Sequence, residues 1–573
     1  MRAIAQVVIP LSMILLSSIM LPGQSGQPRI FFSDLDSGPK YGGQDNKGVF
    51  VTIWGKGFGA SKGESRVTVG GQAADNYPVW SDGRITFQLG ANVRTGDIVV
   101  NVPGRTNPAS NGIPFTVRSG RIFFVSTLGD DNRSGSYALP WRTIVHAKNS
   151  MSAGDTAYIE DGVVQAREDN FGAYLSMDRK GSDNSGAPRA PKALVAYPGA
   201  TVTIGAARGL HFGVRTPNID TREDYWVISQ LHIISSVQAM DLSGVGWKIV
   251  GNDMQCPGAD GQVGCFEMSE SSQIRFYGNA VHNAGAGSRT SKFYHAVYFS
   301  TDSNHIDVGW NHIHDNATCR AIQFHSSPLC SPDCGGKDTT GFNQYDLHVH
   351  DNLIHGDNCN GINFATVDPS RGAVEAYNNV IYHVGLQDPS DQGGAFSCIY
   401  VAGITNNGKP GRGMVEVFNN TVYDCAANNS RNAQGSRGAF SVGADEGLVM
   451  RLRNNIVYQL RGEIYIDGNT ALITGERNLW FGAGNGPSQT SNNLGGDPAF
   501  LNRNAADFHL VTGSPARGAG VAALPDNSFV EHGSRQATDQ DGAPRPQGGG
   551  FGFTLGAYEI PAARTAGVKA AGP

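Results

Sequence analysis

Apolar positions in this chain recur in short runs rather than at helical spacing. Between Arg29 and Val117 the runs VFVTIWG (49–55), RVTVGG (66–71), RITFQLG (84–90), DIVVNV (97–102) and PFTV (114–117) alternate with Gly, Asn and Asp turns. Strands so spaced predict a small β-sandwich. From Ile122 a strand IFFV leads into a stretch where Ile144, Ala147 and Met151 share one helical face, and Gly154-Asp155 then turns into another strand. Further on, the pattern Asn-x-[Val/Ile/Met]-[His/Tyr/Gln] repeats at Asn252, Asn279, Asn311, Asn352, Asn379, Asn420 and Asn455, with a looser copy at Asn478, at intervals of 23 to 41 residues. A coil of three short strands needs about 20–25 residues. The repeat therefore predicts a stack of such coils, the longer intervals holding inserted loops. Asn is read as suiting this position because it tolerates left-handed backbone and because stacked amides bond from coil to coil.

Each repeated Asn follows a second apolar triplet: MDL (240–242), FEM (266–268), VYF (297–299), IQF (322–324), INF (362–364), IYV (399–401), FSV (440–442) and IYI (464–466). Strand alternation turns the outer two residues inward and the middle one outward. Stacked coils then build an outward column of Asp241, Glu267, Tyr298, Gln323, Asn363, Tyr400, Ser441 and Tyr465. A flat strand face walled by inserted loops suits an extended glycan, its aromatics stacking on sugars and its amides bonding hydroxyls.

Composition narrows the class. Only 16% of residues are charged while Gly contributes 76, which disfavours long helices. Lys+Arg 44 against Asp+Glu 50 leaves a net charge of −6, so no basic footprint for nucleic acid exists. An apolar run after Met1-Arg2 reads as a signal peptide over residues 1–24, long enough to serve alternatively as an uncleaved anchor. All eight cysteines fall between Cys256 and Cys425, and in an exported chain they favour disulfides over metal thiolates. Cys256/Cys265 and Cys330/Cys334 are spaced to staple single loops, and Cys319 and Cys359, each three residues ahead of its triplet, are paired between adjacent coils.

Two stretches carry family resemblances. GKGFG at 55–59, followed by RVTVGGQAA and PFTV, resembles IPT/TIG immunoglobulin-like modules, which act as binding or spacer domains. The order Val125-Ser126, Gly129-Asp130, Pro140, Thr143-Ile144, Gly154-Asp155, Asp161-Gly162 resembles the N-terminal cap of secreted right-handed parallel β-helix polysaccharidases of the pectate-lyase-like superfamily. DPAF (497–500), DFHL (507–510), GSPA (513–516), DQDGAPRP (539–546) and LGAYE (555–559) resemble the C-terminal coil and cap of bacterial β-helix proteins. The resulting expectation is an all-β chain: an immunoglobulin-like β-sandwich over 28–118, a right-handed parallel β-helix over 121–561 and a frayed tail over 562–573. The resemblance implies a secreted or periplasmic monomer acting on extracellular, acidic polysaccharide, with no nucleic-acid partner and no membrane span after signal cleavage.

The candidate chemistry lies on the outward column. Asp241 and Glu267, neighbouring carboxylates about 5 Å apart, fit the acid and nucleophile of a retaining glycoside hydrolase, or ligate Ca2+ that would neutralise a uronate. Arg320 fits a bidentate contact to a substrate carboxylate, and His325, His295, Tyr298 or Lys292 fits the base that removes the adjacent proton in a polysaccharide lyase. Gln323, Asn363, Tyr400 and Lys292 are assigned to substrate. β-Helix lyases as a family generally use Lys or Arg as base, often with Ca2+. A C5-epimerase shares the proton-abstraction step, and a non-catalytic adhesin shares only the groove. His282, His314 and His355 occupy one slot after the repeated Asn and pass to Tyr382, Tyr423 and Tyr458, reading as an aromatic ladder ahead of a transition-metal site. The pairs His312/His314 and His348/His350 are expected to send their rings to opposite sides of a strand and so to chelate poorly.

Overall fold

The computed structural model describes residues 26–209, 211–217, 222–258, 263–285, 291–326, 344–386, 396–403, 411–426, 437–444, 447–460, 464–521, 538–545 and 552–560. The signal segment, the Cys330/Cys334 pair, the terminal tail and most of the loops expected to wall a groove lie outside them.

The first unit is a β-sandwich. One sheet pairs Arg29–Ser33, Phe50–Lys56, Arg84–Gln88 and Val79–Trp80; the other joins Ser37–Gly38, Ile113–Val117, Gly96–Asn101, Arg66–Val69 and Gln72–Ala73. Val51, Ile53, Ile85, Phe87, Val67, Val69 and Ile98 fill the space between them and are fully buried. This is the alternation read from the sequence, with apolar residues of both inner faces meeting.

The sandwich does not hang free. Its buried apolar residues share one cluster with Phe124, Tyr158, Val195 and Val227 of the following unit, and the Tyr158 hydroxyl donates to the Phe50 carbonyl at 2.7 Å. Phe32 packs on Trp54, Tyr277 and Trp310 with ring centroids 5.1, 5.7 and 5.2 Å away. Asp36 pairs with Arg275 at 3.0 Å.

Beyond Ile122 every coil adds strands parallel to those of its neighbours. A 12-stranded sheet forms one face of the stack, and a 21-stranded assembly, whose alternate strands pair coil to coil, forms the other two. This is the parallel β-helix. The helix Ile144–Ser150, capped by the Thr143 side chain on the His146 amide, closes the first coil by burying Ile144 and Ala147. The inward residues of successive triplets stack, Phe299 on Phe324 at 5.3 Å and Phe324 on Phe364 at 5.5 Å. Each such ring contributes about 1.5–3 kcal/mol by leaving water.

The repeated asparagines form a continuous buried ladder. The Asn311 side-chain amide donates to Phe276 O at 2.9 Å and to Asn352 Oδ1 at 2.9 Å, while its own Oδ1 accepts from the Asn279 backbone amide at 2.9 Å. The left-handed residues are not these asparagines but the ones just before them: Gly251, Gly278, Trp310, Asp351, Asn378, Asn419, Asn454 and Arg477 all have positive φ. The ladder Asn is thus selected for its amide, and the sharp turn is carried by its predecessor.

Among the described residues three disulfides add covalent ties: Cys256–Cys265, Cys319–Cys359 and Cys398–Cys425. The last triplet needs correction. Ser441 pairs with Asp467 rather than Tyr465, because the chain enters that coil two residues later than the triplet pattern suggests. Tyr465 turns inward, 5% exposed, with its ring 5.1 Å from Trp480. Among the described residues no helix is long and apolar enough to cross a membrane.

Candidate active site

The outward column exists in the expected register: Asp241 pairs with Glu267, Glu267 with Tyr298, Tyr298 with Gln323, Gln323 with Asn363, Asn363 with Tyr400 and Tyr400 with Ser441. It also extends one coil further toward the N-terminus, where Arg215 pairs with Asp241. Sequence reasoning missed Arg215 because the triplet alignment began at Met240. The strand FGVR at 212–215 carries the same alternation and would have supplied it.

The column is not one open floor. Gln323 and Asn363 are 4% and 1% exposed, and the Asn363 amide donates to Gln323 Oε1 at 2.6 Å. The two amides share this one bond, and Asn363 Oδ1 is buried with no hydrogen-bond partner among the described residues. Tyr400 is half-buried, and a Cβ at Gly443 would come within 2.2 Å of its hydroxyl, so glycine there makes room for the phenol. The accessible part runs from Arg215 to His325.

At its acidic end the Arg215 guanidinium meets Asp241 Oδ2 at 2.9 Å. Burial raises the Asp241 carboxyl above its ordinary range while Arg215 opposes the shift. Glu267 accepts from Ser300 Oγ at 3.1 Å and Gln238 Nε2 at 3.1 Å. Burial, reinforced by the Asp241 charge one coil away, pushes its carboxyl up to about 7. Ca2+ takes about six to eight oxygen ligands. A pair in which one carboxylate is held by Arg215 and the other by Ser300 and Gln238 does not fit it.

At the other end, His295, Tyr298, Arg320 and His325 are brought together, while Lys292 supplies its backbone carbonyl to Arg320 Nη1 at 2.7 Å. The Tyr298 hydroxyl lies 3.3 Å from His325 Nδ1. The His295 ring meets Tyr298 edge-on at 5.0 Å. Burial and the Arg320 charge push His325 down to about 4, so its imidazole is neutral at pH 7. His295 is also driven well below its ordinary value by burial, Arg320 and His325. Tyr298 is raised by burial and by Glu267, which keeps its hydroxyl protonated.

A second register column backs this cluster, His295 pairing with Arg320 and Arg320 with Asn360. His295 Nδ1 and Asn360 Oδ1 are both buried with no hydrogen-bond partner among the described residues. The Cys319–Cys359 disulfide sits one residue ahead of Arg320 and Asn360 and ties their coils together.

The aromatic ladder forms as read as far as Tyr382: His282 stacks on His314 at 5.0 Å, His314 on His355 at 5.3 Å and His355 on Tyr382 at 4.6 Å, whereas Tyr423 meets Tyr458 edge-on at 5.2 Å. The reading of the His-x-His pairs is overturned. Residues two apart on a strand share a face, and the His312 and His314 rings are stacked 4.0 Å apart. His348 and His350 instead enter buried ion pairs with Asp346, Glu375, Asp307 and Asp351.

Residues 37–117 match the IPT/TIG domain family. The fold is similar to that of a pectate lyase, with a TM-score of 0.50 at 13% identity over 77% of this chain and 96% of the other. A complex of XylC with xylose gives 0.40 at 10% identity over 77% and 98% of the two chains. A lacto-N-biosidase from Eubacterium ramulus gives 0.37 at 11% identity over 66% and 67%. At these identities the likeness is one of fold. No curated protein matches the chain. The molecule is thus a parallel β-helix protein carrying an N-terminal IPT/TIG module.

Proposed function

We propose that this protein is an exported polysaccharide lyase that cleaves a uronate-containing glycan by β-elimination. The observation that carries the reading is the contact between Tyr298 and a neutral His325 beside Arg320. In this reaction Arg320 bonds the uronate carboxylate and stabilises the charge that develops on it. His325 takes the proton from the carbon next to that carboxylate, the C4–O bond breaks, and the Tyr298 hydroxyl protonates the departing oxygen. The electron pair released by the C–H bond becomes the ring double bond, leaving an unsaturated uronate. The pectate lyase sharing the fold supports a glycan substrate.

A second reading rests on a separate observation. Asp241 and Glu267 are register neighbours, with Glu267 held up to about 7. The strand spacing of about 4.8 Å is near the roughly 5–5.5 Å between the carboxyl groups of a retaining glycoside hydrolase. One experiment separates the two. The full chain is incubated with acidic and neutral polysaccharides while ultraviolet absorbance and reducing ends are followed together. A rise in both establishes elimination; reducing ends without absorbance overturn it in favour of hydrolysis by Asp241 and Glu267.

A further inference from the structure

The 12-stranded sheet carries an assembly that the proposed elimination does not use. His312 and His314 lie on one strand, His355 on the next coil. One ring nitrogen from each of the three lies within 4.8 Å of the other two, and all three side chains are half-buried. His312 Nε2 and His355 Nε2 are 3.0 Å apart. Two imidazole nitrogens on one tetrahedral ion at about 2.0–2.1 Å are separated by about 3.3–3.4 Å, a few tenths of an ångström beyond this spacing. The His314 Nδ1 atom is engaged by Asp315 Oδ2 at 2.8 Å. A carboxylate on one ring nitrogen fixes the tautomer and leaves the other nitrogen as ligand.

We propose that His312, His314 and His355 form a binding site for a borderline divalent transition-metal ion, represented by Zn2+, with water completing its coordination. Imidazole is the ligand such ions prefer, and a three-histidine face leaves an open position for solvent. The contrast with His348 and His350 supports the assignment. Those rings are occupied by carboxylates on both nitrogens, whereas here the imidazoles face one another. The ion would clip together the two coils already joined by Cys319–Cys359, the coils that continue into Arg320–His325 and Asn360–Phe364.

The test uses the full chain stripped with chelator and titrated with Zn2+ by calorimetry, with thermal unfolding recorded at each loading. One equivalent binds saturably and raises the unfolding temperature. His355→Tyr continues the stack that Tyr382 begins and loses at least tenfold in affinity; His312→Ala does the same, while His232→Ala on the same sheet binds as the wild type does. Zn2+ binding that never saturates at one per chain, or that His355→Tyr and His312→Ala leave unchanged, overturns the proposal. Co2+ loaded into the unsubstituted chain reads the ligand set independently of any variant. A visible absorption band displaced from that of the hydrated ion supports the site, and the spectrum of the hydrated ion overturns it.

Discussion

The phenol of Tyr298 and the imidazole of His325 lie on adjacent coils with Oη 3.3 Å from Nδ1, although the register pairs Tyr298 with Gln323. The two rings therefore lean toward each other across the strand direction over a pair of buried amides. A neutral base and a protonated phenol are juxtaposed without either being charged, which is the protonation state an elimination requires at its start.

If His325 is the base, His325→Ala lowers turnover on a responsive uronate polymer by about 10²–10⁴-fold, and Tyr298→Phe lowers kcat by a comparable factor. Both variants should melt as the wild type does. Because His325 is held down to about 4, kcat/KM at about pH 5 stays within about twofold of its neutral value, where a histidine near 6.5 would be almost wholly protonated. Initial rates of ultraviolet absorbance across that interval check it, and a limb centred on the ordinary histidine range would sink the assignment.

Glu267 makes a prediction of opposite sign. In the folded chain its carboxyl keeps its proton up to about 7, against 4.5 for an unperturbed glutamic acid. Between those values the folded state binds more protons than the unfolded one, so stability falls as pH rises through the window. The full shift corresponds to about 3 kcal/mol, and the partial exposure of the side chain trims it. Glu267→Gln removes this term and raises the unfolding temperature more at about pH 8 than at about pH 5, as scanning calorimetry at the two pH values would read.

The Cys319–Cys359 bond closes a 40-residue separation between coils. Replacing both residues with Ala is expected to cost about 2–4 kcal/mol of stability and to lower kcat further, because Arg320 and Asn360 follow the two cysteines directly. Denaturant unfolding measures the first effect and turnover at a temperature where the variant is fully folded measures the second. Unaltered turnover would show that Arg320 is positioned without the bond.

Asn311→Ala removes one rung of the ladder and strands the Asn279 backbone amide and the Phe276 carbonyl in the interior. Two orphaned groups cost about 2–4 kcal/mol together. Guanidinium titration gives the loss, and Asn311→Asp, which keeps an acceptor for Asn279 but no amide donor for Phe276, falls between the variant and the wild type.

Much of the fold was legible because two periods coexist in the chain. Alternation within a triplet sets which residue faces out, and the Asn repeat sets where each coil begins, so Asp241, Glu267, Tyr298, Gln323, Asn363 and Tyr400 could be ordered without coordinates. What escaped depends on geometry that neither period encodes. The burial of Gln323 and Asn363 follows from their mutual bond and their surroundings, not from being the middle of a triplet. Tyr465 is the middle of its apolar triplet but packs on Trp480, because that coil is entered two residues later and Asp467 takes the place opposite Ser441. The convergence of His312 and His355 is diagonal between coils, a direction in which sequence spacing carries no signal.

Phe32, Trp54 and Trp310 interlock along the seam between sandwich and β-helix, with Asp36 and Arg275 bonded beside them. A module seated this way cannot swing on a tether. Any ligand held by the sandwich stays at a constant span from Tyr298 and His325, so the two units together behave as a caliper: the distance from that grip to the two rings is set by the width of the seam, and lengthening the few residues between Val117 and Ile122 would leave that distance unchanged.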